Sequence, residues 1–420
     1  MAAGDAFKSY RLTEPRKRSQ LLRKWHELLV ANADDVGRII TLENGKPLAE
    51  AKGEVIFGAS FLEWFAEEAP RMGGDLILPG NSACRVVTMR EPVGVCGMIT
   101  PWNFPASMIT RKAAPALAAG CSVVIKAPAE TPLTALALAE LASRAGFPPG
   151  VINIITTSEH TQAVGEVLTT HPIIKKFSFT GSTSVGKLLL SQSASTMKKT
   201  SFELGGNAPF VVFDDADLKE AVKGLNIAKF RNSGQTCVCA NRIYLQDGIY
   251  DEFISMLKET LKAFKVGDGL REGTTHGPLI HTRAADRVTA LVEDAVAKGA
   301  EVISGGGRLA SLGPNFHDIT LLANMTPTMR CSTEEIFGPI AAVYRFKTEE
   351  EVIELANSSE YGLAGYFYSR DVARCWRVAE KLEVGMVGVN YGMWPGPPVS
   401  RKPDPKRSFE LTPFFLYQPL

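Results

Sequence analysis

Charge of one sign is what this chain most lacks: 46 Lys and Arg against 45 Asp and Glu over 420 residues leave a formal net charge of +1. No field of that size favours nucleic acid or an anionic membrane. No apolar run approaches the ~18 residues that a membrane-crossing helix needs. A secretory hydrophobic region is also lacking, so the seven irregularly spaced cysteines read as reduced thiols of an intracellular protein. The doublet Cys237-Val238-Cys239 is C-x-C rather than the C-x-x-C of metal knuckles and thiol redox sites, and no histidine pair accompanies it. A metal site is therefore not expected.

What is present is apolar content of 45%, enough for a large core divided among two or three domains. Short apolar runs alternate with helical patterns through the first half. Residues 94–100, 122–126, 151–155 and 176–180 read as strands. Between them Thr131-Pro132 supplies a cap and a first-turn proline for a Leu/Ala-rich helix ending near Gly146. Strand and helix at this spacing argue a doubly wound parallel sheet, whose ligand crevice lies at the carboxyl ends of the strands. The basic stretch Arg11 to Lys24 carries Leu21, Leu22, Trp25, Leu28 and Leu29 at helical spacing, which makes it a solvated helix face rather than a docking patch.

Two residues carry the chemistry. Cys237 lies in a Gly-bounded loop after an amphipathic stretch, and Glu203 opens a separate Glu-Leu-Gly-Gly strand-to-loop turn. A thiol and an isolated carboxylate are what covalent capture of a carbonyl and later activation of water require. The Gly/Ser-rich run 179–186 falls where a strand turns into a helix, so its N–H groups could approach a phosphate, although such turns are structural more often than not. Lys126 ends an apolar strand and reads equally as a solvated tip or a ligand for ribose and phosphate. Asn103 is bracketed by Pro101 and Pro105 beyond another strand end, and a lone asparagine there would ordinarily close a turn.

From about Ala6 to Asn390 these motifs resemble the aldehyde dehydrogenase superfamily, in its succinate-semialdehyde dehydrogenase branch. The resemblance implies Cys237 as nucleophile, Glu203 as general base, and Asn103 with the Cys237 N–H as donors to the oxyanion. One such donor is worth about 2.7 to 4 kcal/mol in a transition state. It also implies NAD or NADP as coenzyme, contacted by Thr100, Pro101, Trp102, Lys126, Ala129, Gly181, Ser182, Val185, Leu204, Gly205, Glu335 and Phe337. NAD-preferring relatives often carry glutamate where Ala129 stands, so NADP is admitted as well as NAD. Arg111 and Arg231 match the arginines that hold the substrate's far carboxylate. Cys239 could bridge to Cys237 under oxidation, but C-x-C pairs are strained for bridging and a spare thiol is the expectation.

The domains expected are an NAD(P)-binding unit at 1–78 and 94–204, a remnant of an oligomerisation hairpin at 79–93, and an α/β catalytic unit at 205–390. The tail, 391–420, holds seven prolines, too many for an interior strand or helix. It departs from the family pattern, in which a last strand crosses to a neighbouring subunit. Homo-oligomer assembly, the rule in the family, is therefore expected to be weakened, with 85–91 left as an unpaired strand. The compartment expected is cytoplasmic, or mitochondrial should a leader precede this sequence. Two other readings stand beside the dehydrogenase: a weakly active homologue that keeps the fold, and thioester hydrolysis by the same Cys/Glu pair.

Overall fold

The structure is a computed structural model that describes residues 1–81 and 83–392; the proline-rich tail beyond 392 lies outside the described residues. Four helices open the chain: α1 Ala2–Tyr10, α2 Pro15–Ala31, α3 Ala33–Asn44 and α4 Leu48–Glu68. Two short strands follow, β1 Leu76–Ile77 and β2 Val86–Val87. Strands and helices then alternate through β3 Val95–Ile99, α5 Pro105–Ala118, β4 Ser122–Lys126, α6 Pro132–Ala145, β5 Ile152–Ile155, α7 Thr161–Thr170, β6 Ile174–Thr180, α8 Thr183–Ala194 and β7 Lys199–Glu203.

These five strands form a parallel sheet in the order β5-β4-β3-β6-β7. Because side chains alternate across a strand, Cys96 and Met98 face α2, α4, α5 and α6. Val95 faces α1, α7 and α8 on the other side, with Phe177, Phe179 and Phe202. The sheet is thus doubly wound, and its order reverses at β3, which puts the carboxyl ends of β4, β3 and β6 side by side at the crevice.

The second half repeats this plan around a seven-stranded sheet. Its elements are β8 Ala208–Val212, α9 Leu218–Phe230, β9 Ala240–Gln246, α10 Tyr250–Leu261, α11 Thr282–Ala297, β10 Glu301–Ser304, β11 Thr320–Ala323, β12 Ile340–Phe346, α12 Glu349–Asn357, β13 Ala364–Tyr368, α13 Val372–Lys381 and β14 Met386–Val389. The order is β10-β11-β12-β9-β8-β13-β14, with only β10 antiparallel to its neighbour. Phe210 and Val212 pack beneath α9 and α10, and Val211 and Phe213 beneath α11 to α13.

Two local expectations change. Arg18 does not belong to a solvated face: it is buried and donates to the carbonyls of Ala118 and Thr13 at 2.8 and 2.5 Å, because α2 presses against the end of α5. In 85–91 only Val86 and Val87 are extended, and they pair with Ile77 and Leu76 rather than standing alone. The hairpin therefore begins before residue 79, within the segment assigned to the NAD(P)-binding unit. Its apolar side chains stay exposed, Leu76 at 68% and Met89 at 81%. The predicted helix 132–145 stands, with Gly146 left-handed after it. Its cap comes from elsewhere: the Glu43 carboxylate accepts from the Leu133 and Thr134 N–H groups, while Thr131 makes no side-chain cap.

Candidate active site

A cavity of about 460 Å³ opens between the two sheets. Its wall gathers Pro101, Trp102 and Asn103 from the loop after β3, Gly181 and Ser182 from the turn between β6 and α8, Leu204 and Gly205 after β7, and Cys237, Glu335 and Phe337. Residues far apart in the chain thus meet because each follows the carboxyl end of a strand or faces it from the second sheet.

Cys237 is half-buried on this wall. Its loop descends from α9 through Asn232, Ser233 and Gly234, all with positive φ (52°, 52° and 77°). Asparagine and serine there carry strain of about 1–3 kcal/mol each, which surrounding bonds hold in place. Ser233 Oγ donates to the Gly277 carbonyl at 2.8 Å, and the Gln235 side chain accepts from the Ile280 N–H at 2.9 Å. Gly206 shows how closely the Glu203 turn meets this loop: a Cβ there would lie 2.0 Å from the Cys237 carbonyl oxygen, so only glycine fits.

The thiol's surroundings hold its proton. Desolvation of the sulfur, followed by the negative charges of Glu203 and Glu335, pushes Cys237 up to about 12, with Arg111 opposing. Cys239 is buried, its thiol directed to the carbonyls of Gly234 and Lys229. Both cysteines are free thiols.

Asn103 is buried, and its Nδ2 donates to the Gln235 carbonyl at 2.9 Å, which orients the amide and leaves the second amide proton available. Glu203 ends β7, buried at the sheet edge rather than on the cavity wall, with Arg111 Nη1 3.6 Å from its carboxylate. Glu335 accepts from the Gly206 N–H at 3.1 Å, and burial pushes its carboxyl up to about 7. Phe337, at φ 49°, meets the Trp102 ring edge-on at 5.8 Å.

Six further sequence-nominated residues stand at the crevice rim or beyond it rather than on the wall. Lys126 ends β4, buried, its ammonium donating to the Ala127 carbonyl at 3.0 Å. Thr100 lies beside it, its N–H bonded to the Lys126 carbonyl. Ala129 is exposed past the strand end, and Val185 is exposed in the first turn of α8. Arg231 stacks over the ring of Phe104, the residue after Asn103, at 5.2 Å. Arg111, likewise off the wall, projects from α5 over Phe61 at 5.5 Å. Sequence reasoning missed the start of α11: His281, Arg283 and Arg287 line the mouth, and Arg287 donates to the Glu335 carbonyl. Nothing in the run around Arg283 and Arg287 distinguishes them from the exposed face of an amphipathic helix.

The residues present fit a dinucleotide. The Thr180 hydroxyl is buried on the cavity wall without a hydrogen-bond partner among the described residues, and the hydroxyl of Thr100, buried just off the wall, has none there either. The N-cap residue of α8, Ser182, makes no side-chain cap, which leaves the first N–H groups of a twelve-residue helix facing the crevice. Among the described residues no cluster of His, Cys, Asp and Glu is placed to hold a metal, and no helix is long and apolar enough to cross a membrane.

Known proteins share this architecture and these motifs. The chain is 54% identical to succinate-semialdehyde dehydrogenase [NADP(+)] 1 of Schizosaccharomyces pombe, over 93% of its own length and 78% of the relative's. It is equally identical, at 54%, to 3-sulfolactaldehyde dehydrogenase of Pseudomonas putida, over 93% and 80%. The crystal structure of succinate-semialdehyde dehydrogenase from Burkholderia pseudomallei superimposes with a TM-score of 0.92 at 51% identity, covering 94% of this chain and 81% of that one. With the aldehyde dehydrogenase family pattern matching residues 1–400, this chain belongs to the aldehyde dehydrogenase family.

Proposed function

We propose that this enzyme oxidises succinate semialdehyde, or another short aldehyde with an anion at its far end, to the carboxylic acid, using NAD or NADP. The observation that carries the reading is Cys237 on a cavity wall shared with the Asn103 amide and Glu335, with Arg111 3.6 Å from Glu203 and Arg231 stacked over Phe104 next to Asn103. The relatives' names point the same way. Succinate semialdehyde and 3-sulfolactaldehyde both carry an anionic group on the third carbon counted from the aldehyde, so one pocket shape and one cationic end accept either. Arg231 and Arg111 supply guanidinium groups suited to a carboxylate or sulfonate.

A thiol held protonated up to about 12 is not a standing thiolate near neutrality, so the reaction needs a base. Glu203 takes the Cys237 proton as sulfur bonds to the aldehyde carbon, and the charge that moves onto oxygen is received by the free Asn103 amide proton and the Cys237 N–H. When bound, the coenzyme supplies the acceptor for the hydrogen that leaves this carbon with both electrons. Oxidation leaves a thioester on Cys237. Once it has passed that first proton to solvent, Glu203 deprotonates a water whose oxygen displaces the sulfur, and the proton taken from water returns to the departing sulfur. Thr100, Thr180 and the α8 N-terminus would hold the coenzyme phosphates and ribose, and Glu335 and Phe337 its nicotinamide half.

Absorbance at 340 nm tests this directly: the protein mixed with succinate semialdehyde and either NAD or NADP reduces coenzyme. Cys237→Ala lowers turnover by about a thousandfold or more while coenzyme binding persists. Folded protein that reduces neither coenzyme, or a Cys237→Ala variant that still turns over, overturns the proposal.

A further inference from the structure

Behind the cavity floor lies a set of charges that this chemistry does not consume. Helix α4 carries Glu50 and Glu54 one turn apart, and Lys46 sits in the turn that leads into it. Lys46 is 2% exposed and Glu54 0%, costly places for full charges unless their protons and lone pairs are engaged. Lys46 Nζ donates to Glu54 Oε2 and to the Asn103 carbonyl, each at 2.7 Å, and lies 4.1 Å from the centre of the Phe104 ring. Glu54 Oε1 accepts from the Ala106 and Ser107 N–H groups at 2.8 and 3.4 Å. It thereby caps α5, whose own N-cap residue, Phe104, has no side-chain acceptor.

The catalytic loop is tied to the same helix. Glu50 Oε2 accepts from the N–H of left-handed Asn232 at 2.9 Å, and Asn232 Nδ2 donates to the Asn103 carbonyl at 3.1 Å. Asn44 adds a bond to the preceding carbonyl, that of Trp102, at 3.1 Å. The peptide before Asn103, its own carbonyl and two N–H groups in the first turn of α5 are thus all held from the end of α3, from α4 and from the turn between them. A buried ion pair is no more stabilising than an apolar pair of similar volume, so stability alone does not account for these charges. What they provide is register between two loops that meet at the reacting carbonyl.

We infer that Lys46, Glu50 and Glu54 are positioning residues that fix the Asn103 amide against the Cys237 loop, so that the oxyanion donor stands in place before the aldehyde arrives. The inference rests on the proposed role of Asn103 as that donor. The donor must sit within a few tenths of an ångström of the developing charge to be effective, and the Asn103 carbonyl, between a strand end and a helix capped from α4, is held by Lys46 together with Asn232, whose own N–H is anchored by Glu50.

The test is a double-mutant cycle read as the first-turnover rate of coenzyme reduction at 340 nm. Asn103→Ala alone lowers that rate about 10²- to 10³-fold. Glu54→Gln, which removes the ion-pair partner of Lys46, lowers it ~10- to 100-fold with KM for the aldehyde changed less than about threefold. On the Asn103→Ala background the same Glu54→Gln change costs less than about twofold, because no donor remains to be misplaced. The paired variant Lys46→Met with Glu54→Leu removes both charges at similar volume and shows the same loss and the same non-additivity. Effects of Glu54 and Asn103 that multiply, an undiminished rate in the paired variant, or a paired variant that does not fold each overturn the inference. An Asn103→Ala protein with undiminished rate is a different result: it removes the oxyanion role itself and the inference with it.

Discussion

On the coenzyme side of the cavity the buried hydroxyls of Thr100 and Thr180 have no partner among the described residues, Ser182 leaves α8 uncapped, and Ala129 and Val185 stand in the open. On the side of Cys237, Asn103, Asn232, Ser233 and Gln235 are bonded to one another or to neighbouring backbone. The contrast separates two demands. Groups that bind a soluble ligand gain from being unsatisfied, since each buried polar group left unpaired costs about 1–3 kcal/mol that a ligand can return. Groups that stabilise a fleeting charge must be fixed beforehand, because any rearrangement during the reaction is subtracted from their effect.

The sharpest way to break this comparison is to titrate the thiol. If the catalytic side is as dry as a Cys237 pushed up to about 12 implies, thiolate grows about tenfold per pH unit across the accessible range. Iodoacetamide labelling of Cys237 in coenzyme-free protein, read by peptide mass spectrometry, therefore rises about 300-fold from pH 7 to 9.5 without a plateau. The same shift has a stability consequence: the thiol keeps its proton more firmly folded than unfolded, so its contribution is present below the unfolded value and fades as pH climbs toward 12. A labelling plateau below pH 9 would mean that burial of the sulfur beside Glu203 and Glu335 does not hold the proton as the geometry requires.

A smaller effect is expected at the far end of the substrate. Arg231 lies over the ring of Phe104, the residue after Asn103. Arg231→Ala raises KM for succinate semialdehyde by about 10- to 100-fold, the worth of a charge-assisted hydrogen bond of ~1.5–3 kcal/mol. An uncharged aldehyde of the same length serves as control and changes far less. Equal losses for both would move Arg231 from substrate binding to support of the loop.

How much of this was legible in the sequence follows the same divide. The parallel sheet, the helix ending at Gly146 and the Cys237 and Asn103 loops were readable because strand ends, prolines and glycines mark them locally. The Lys46–Glu54 clamp was not: its partners are Asn103 and Ala106, more than fifty positions away, and in the sequence Lys46, Glu50 and Glu54 look like the polar face of any surface helix. Arg18 failed for the same reason, a charge buried by a contact with Ala118 that no local pattern encodes. Arg287 at the cavity mouth is a third case. Short-range signals mark where chains turn, and a buried charge is set by what folds over it.

The smallest predicted effect bears on the open side. Ala129 is exposed past the end of β4, beyond the buried Lys126, and Glu130 next to it is exposed as well. A carboxylate placed by Ala129→Glu would face the ribose end of a bound coenzyme, where it can accept from hydroxyls and repels a 2′-phosphate. With the dielectric of bulk water, fitting a fully exposed site, two like charges about 4 Å apart repel by ~1 kcal/mol, so the ratio of kcat/KM for NAD over NADP shifts toward NAD by about fivefold. The shift weakens as salt is raised, since screening shortens the reach of an exposed charge. A ratio that does not move would place the ribose away from Ala129 and leave Lys126 as a strand tip whose ammonium merely satisfies its neighbour's carbonyl. The unsatisfied hydroxyls of Thr100 and Thr180 would then need a ligand arranged differently along the crevice.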